Sequence, residues 1–60
     1  MKIDTKKVRE QLFMTQTEFA QAIGVSVVSV RKWEKGVAKP TLRHLKRIVE
    51  FAKMKEISVE

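Results

Sequence analysis

The stretch "GVSVVSVRKWEKG", Gly24 to Gly36, decides how the chain folds. Its first half alternates valine with serine and is rich in β-branched residues, which is the composition of a half-buried strand. A strand needs strict alternation, however, and Val27-Val28 breaks it. Trp33 would also fall on the face opposite Val28 and Val30, among charged neighbours. On a helix, Val30, Trp33 and Val37 stack at spacings of three and four, while Val27, Val28, Arg31, Lys32 and Lys35 gather on the other side. The helix separates apolar from basic better, in spite of valine's modest propensity cost. Ser26 offers an N-cap and Gly36 a stop, so a helix is expected over about 27–35, entered by a turn from Gly24 to Ser26.

The segment before this turn carries a second helical signature. Thr15-Gln16-Thr17-Glu18 has the capping-box pattern, in which the Thr15 hydroxyl accepts from the Glu18 amide and the Glu18 carboxylate accepts from the Thr15 amide. A helix over about 16–23 follows, with Phe19, Ala20 and Ile23 inward and Gly24 closing it in the left-handed conformation. Upstream, Asp4 or Thr5 caps a first helix with Val8 and Leu12 inward, running to about Phe13. Downstream of Pro40, Thr41 caps a last helix with Leu42, Leu45, Ile48, Val49 and Ala52 on one stripe. The tail "KEISVE" alternates Ile57 and Val59 with polar residues, which suits either a short C-terminal strand or a frayed end. The expected fold is all-α, a compact domain of four to five helices over residues 1–60, with no linker or internal repeat.

Composition narrows the function. A chain of 60 residues buries only about 60% of the surface its unfolded form exposes, and with no cysteine there is no disulfide or thiolate metal site to supplement the core. No apolar run approaches the ~20 residues that span a bilayer, and the N-terminal residues lack a secretion signal's apolar core, so a soluble cytoplasmic protein is expected. The net charge is +6 and the pI about 10.1, which favours a polyanionic partner. Residues 25–47 hold seven basic side chains, Arg31, Lys32, Lys35, Lys39, Arg43, Lys46 and Arg47, against Glu34 alone. The net charge of the chain therefore lies in the segment that contains the turn and the helix after it.

Two helices joined by a tight glycine-containing turn, the second of them basic and exposed, form a helix-turn-helix, whose second helix enters the DNA major groove. The run "MTQTEFAQAIGVSVVSVRKWEKGVAKP", Met14 to Pro40, resembles the helix-turn-helix domain of phage repressors and Cro proteins, the XRE type. The resemblance rests on Gln16, Phe19-Ala20, Ile23-Gly24-Val25-Ser26, Ser29-Val30, Trp33-Glu34-Lys35-Gly36 and Pro40, and extends through the last helix. It implies that Ser26, Val27, Val28, Arg31 and Lys32 face bases or phosphates. It further implies phosphate contacts from Gln16, at a helix N-terminus, and from Lys35 and Lys39, to which chemistry adds Ser29 and Arg43 as candidates. Arg or Lys donates to guanine N7 and O6, and valine packs on a thymine methyl, so Val27 and Val28 suggest thymine-containing steps. The family also pairs an arginine of the first helix with the glutamate of the third, here Arg9 with Glu34, in a structural role.

The remaining side chains give no competing chemistry. Trp33 is expected as a core anchor, with Ala20 and Gly24 structural beside it, while Arg43, His44, Lys46 and Arg47 look like a solvated face. One histidine, one aspartate and no glycine-rich loop leave no nucleophile and base pair, and His44 has no second ligand for a metal, so neither catalysis nor a cofactor is expected. Two binding functions remain. One is a prokaryotic or phage-encoded regulator, a repressor, that binds a palindromic double-stranded DNA operator as a homodimer through the last helix or the tail. The other is a DNA-binding antitoxin that also neutralises a toxin, with Phe51, Met54 and the tail as the partner surface.

Overall fold

Every helix begins on a side-chain oxygen. The computed structural model describes residues 3–56, and in it α1 (Thr5–Gln11), α2 (Gln16–Ile23), α3 (Val27–Lys35) and α4 (Leu42–Met54) follow Asp4, Thr15, Ser26 and Thr41. Each of these four residues is extended and accepts a hydrogen bond from the amide three positions on. That satisfies one of the amides a helix start leaves without an intrahelical partner. At Thr15 the box is complete, because the Thr15 amide also donates to Glu18 Oε1 at 2.8 Å. Among the described residues there is no strand. The tail, which suits either a short strand or a frayed end, lies outside them from Ile57 on.

The helices also end alike, on a residue with positive φ: Phe13 (55°), Gly24 (85°), Gly36 (77°) and Glu56 (57°). After α1, the Phe13 amide donates to the Glu10 carbonyl and the Met14 amide to the Arg9 carbonyl, the paired bonds that close a helix through a left-handed residue. The Val37 amide returns to the Lys32 carbonyl in the same way around Gly36. Glycine takes this conformation freely, whereas a side chain there costs about 1–2 kcal/mol. A Cβ on Gly24 would lie 3.3 Å from Arg47 Nη1, the end of a flexible side chain that can shift, so the left-handed backbone is what calls for glycine there. Phe13, 94% exposed, gains no packing in return for its strain. Asparagine tolerates the conformation, so Phe13→Asn should raise stability by about 0.5–1 kcal/mol. An unchanged or lower urea midpoint would contradict this.

One core joins the four helices: Val8 of α1, Phe19, Ala20 and Ile23 of α2, Val30 of α3, and Ile48 and Ala52 of α4. Around it pack Leu12, Met14, Val25, Val27, Trp33 and Phe51, each partly buried. Several expectations need correction. Helix α1 stops at Gln11 rather than near Phe13, because the chain reverses at Leu12 and Phe13. Thr5 is buried, and Asp4 alone is the cap. Val37 does not stack on Val30 and Trp33; it lies beyond the Gly36 reversal and is exposed. Leu42 leaves the core stripe of α4 and is 84% exposed, while Phe51, expected outside, packs against the core. Trp33 is half-buried at the rim of the core, not inside it.

Candidate nucleic-acid interface

The turn that presents α3 is held from three sides. Gly24 closes α2, with the Gly24 and Val25 amides both donating to the Ala20 carbonyl. Ser26 then opens α3, its hydroxyl accepting from the Ser29 amide at 3.2 Å and lying 3.1 Å from the Ser29 hydroxyl. From α4, Arg47 Nη1 donates to the Ile23 carbonyl at 3.5 Å, a long bond that places a cation at the C-terminal, negative end of α2. Beneath α3, Val30 is fully buried.

What α3 shows to solvent follows from that anchoring. Val28, Arg31, Lys32 and Lys35 are exposed and recur at spacings of three and four, so they form one stripe along the helix. Ser26 at the helix start is exposed, and so are Lys39 and Arg43 beyond its far end. Val27 and Ser29 are half-buried. Val27 packs against the core, which leaves it less surface for a ligand than Val28, which is 52% exposed.

The one acid of α3 is withdrawn from this surface. Arg9 Nε donates to Glu34 Oε2 at 2.6 Å and Arg9 Nη2 to Glu34 Oε1 at 3.0 Å, a two-pronged pair between α1 and α3. The remaining Arg9 donor, Nη1, reaches the Met14 carbonyl at 2.9 Å, and Gln16 Nε2 donates to Glu34 Oε1 at 3.1 Å. The side chains are only 15% and 8% exposed for Arg9 and Glu34. Burial pushes the Glu34 carboxyl up, but the hydrogen bonds from Arg9 and Gln16, with the charges of Arg9 and Lys6, outweigh it and hold the carboxyl below its ordinary value. The hydrogen bond to Glu34 raises Arg9 in turn, against its own burial. Both groups stay charged at neutral pH, and the Glu34 charge is neutralised internally. The solvent-facing stripe of α3 is therefore basic without an acidic counterweight.

Gln16 thus has a role that spacing did not reveal: its side chain ties the start of α2 to Glu34 and lies half-buried. His44 was also misread as part of a solvated face, while Arg47 is exposed as expected but has a partner there. The His44 ring lies 5.6 Å from that of Trp33 at an interplanar angle of 49°, and Arg47 reaches the end of α2. The missed signal was the spacing of four between His44 and the buried Ile48, which puts both on one face of α4. Among the described residues no group of three or more histidines, cysteines or carboxylates could hold a metal ion, and no helix is long and apolar enough to cross a membrane.

Comparison with known proteins fits this geometry. The chain is 47% identical over 49 residues to the type II methyltransferase M.SsoII of Shigella sonnei, an alignment covering 77% of the chain but 13% of that protein. The chain therefore matches only a small part of its longer relative. No solved structure gives a significant match. The helix-turn-helix family model, in contrast, matches residues 6–57, nearly the whole chain. With four helices, a glycine turn between α2 and α3 and that match, the chain belongs to the helix-turn-helix family of the repressor and Cro type, a family of DNA-binding regulatory domains.

Proposed function

We propose that the chain is a sequence-specific double-stranded DNA-binding transcriptional regulator, a repressor, that lays α3 in the major groove. The observation carrying this reading is the exposed stripe of Val28, Arg31, Lys32 and Lys35 on a helix whose only acid is locked inside by Arg9. Arg31 and Lys32 donate to base edges, guanine N7 and O6 foremost, and Val28 packs on a thymine methyl. Ser26 contributes a hydroxyl at the tip of the helix, and Val27 a smaller contact. Lys35, Lys39 and Arg43 hold phosphates, with Ser29 as a further donor and Gln16 acting chiefly through the amide end of α2. Residues 1–60 act as one domain. A single reading helix covers a small footprint, so a palindromic operator is bound by two copies, with half-sites about one DNA turn apart.

The likeness to a methyltransferase supports DNA recognition and not methyl transfer, since the aligned part is a small fraction of that enzyme and coincides with the helix-turn-helix. No observation favours an antitoxin role over a simple regulator. The test is selection of an operator from a random duplex pool, followed by titration of the selected duplex at several salt concentrations. Three cationic phosphate contacts per copy predict that log affinity falls against log salt with a slope of about −3 per monomer and roughly twice that per dimer. A flat response, or a pool that yields no consensus, would reject the proposal.

A further inference from the structure

The turn between α1 and α2 holds one side chain in a conformation that the fold itself does not reward. Leu12 and Met14 pack against the core, while Phe13 between them takes a φ of 55° and stands 94% exposed. A positive φ is strained for a bulky side chain, and an exposed ring gains no burial to offset the strain. Strained residues of this kind cluster where a protein meets a ligand.

The turn is also tied to α3. Arg9 Nη1 donates to the Met14 carbonyl at 2.9 Å while Arg9 Nε donates to Glu34 of α3 at 2.6 Å, and Gln16 Nε2 donates to the same carboxylate at 3.1 Å. Phe13 therefore keeps a fixed place relative to both α3 and the start of α2. With α3 in the major groove, α2 crosses the DNA backbone, and its amide end lies over the strand that borders the groove. Three residues span at most about 11 Å, so the Phe13 ring lies within about three nucleotides of the phosphate at that end.

We propose that Phe13 packs its ring on the deoxyribose edge of the minor groove that flanks the half-site, an apolar contact outside the bases that α3 reads. The inference rests on the operator reading above. Local charge favours a sugar over a phosphate: the exposed charged residues nearest in sequence, Glu10 and Glu18, are both acidic, and the Glu18 carboxylate already accepts from the Thr15 amide. A partner protein fits less well, because Gln11, Thr15 and Thr17 around the ring are exposed and polar, whereas a protein interface needs a contiguous apolar centre. Phenylalanine is among the side chains that pack at the minor groove, where width and deformability vary with sequence. The contact therefore makes affinity depend on base pairs that α3 does not touch.

Binding to a duplex that holds one half of the selected operator, with and without about four extra base pairs on each side, tests the contact one copy at a time. Covering about 50 Å² of the ring corresponds to about a tenfold change in affinity. Wild type should therefore gain about tenfold more from the extension than Phe13→Asn or Phe13→Gly, whose new side chains both suit a positive φ. Phe13→Tyr, which keeps the ring, should match wild type to within about twofold. The slope of log affinity against log salt should be the same for all four proteins, because the ring carries no charge. Equal gains from the extension for wild type, Phe13→Asn and Phe13→Gly overturn the contact, as does a salt slope that changes with the ring. Self-association of wild type that both variants abolish overturns it in favour of a protein partner. A wild type that selects no operator overturns the operator reading and the contact with it, whereas a selected operator indifferent to Phe13 overturns the contact alone.

Discussion

Replacing Glu34 with alanine should lower the thermal unfolding midpoint by about 10–20 °C at neutral pH, the largest stability effect expected of any single surface-adjacent substitution in the chain. The change removes the carboxylate that accepts from Arg9 twice and from Gln16 once. It leaves the Arg9 guanidinium, 15% exposed, without its counter-ion, and a stranded, largely buried cation costs about 2–3 kcal/mol. A domain of this size has roughly 5 kcal/mol in total, and each kcal/mol moves its midpoint by about 4–8 °C. A drop under 3 °C would mean that the pair is worth no more than an exposed ion pair.

The same pair sets an acid limit. Glu34 is held below its ordinary value of about 4.3, so between the two values the unfolded chain binds the proton and the folded chain does not. Stability from this group is thus complete above the unfolded value and is lost as pH falls through the folded one. The gap in melting midpoint between wild type and Glu34→Ala should therefore be full at pH 7 and narrow progressively as pH falls below the ordinary carboxylate range. A gap as wide at pH 3 as at pH 7 would show that the carboxylate charge contributes nothing.

Arg31→Ala should reduce affinity for the selected operator by about one to two orders of magnitude, and should do so mainly by erasing the preference for that operator over a scrambled duplex. Arg31 is exposed on the same stripe as Val28, Lys32 and Lys35, and no side-chain hydrogen bond among the described residues involves it, which suits its guanidinium to address a guanine edge. Lys39→Ala provides the contrast. A phosphate contact weakens all sequences alike and lowers the salt slope by about one. Fluorescence anisotropy against matched and scrambled duplexes separates the two, and equal losses on both duplexes for Arg31→Ala would place it on the backbone instead of a base.

What could be seen in the sequence was whatever is encoded locally. The starts of α2 and α3 follow from Thr15 and Ser26 and their ends from Gly24 and Gly36, because caps and left-handed glycines act over three or four residues. The early end of α1 was hidden because Phe13 occupies a position where glycine would have announced the reversal. Facing was harder on α4, which carries two apolar stripes about a third of a turn apart. Periodicity finds both, but only the packing of α2 and α3 decides that Ile48 goes in and Leu42 stays out. Contacts between distant residues, Arg47 to Ile23 or His44 to Trp33, left no mark in the order of residues. Nor did spacing alone pair Arg9 with Glu34, which was expected only through the family resemblance.

The division of labour within α3 has a consequence for how such a domain changes over time. Its structural duties fall on Ser26 at the cap, Val30 in the core, Trp33 and Glu34 on the inward side and Gly36 at the exit. Val28, Arg31, Lys32 and Lys35 carry none of them. If α3 reads DNA as proposed, exchanging those four side chains would alter which duplex is recognised at almost no cost in folding free energy, so the scaffold could acquire a new target by mutation without first passing through an unstable intermediate.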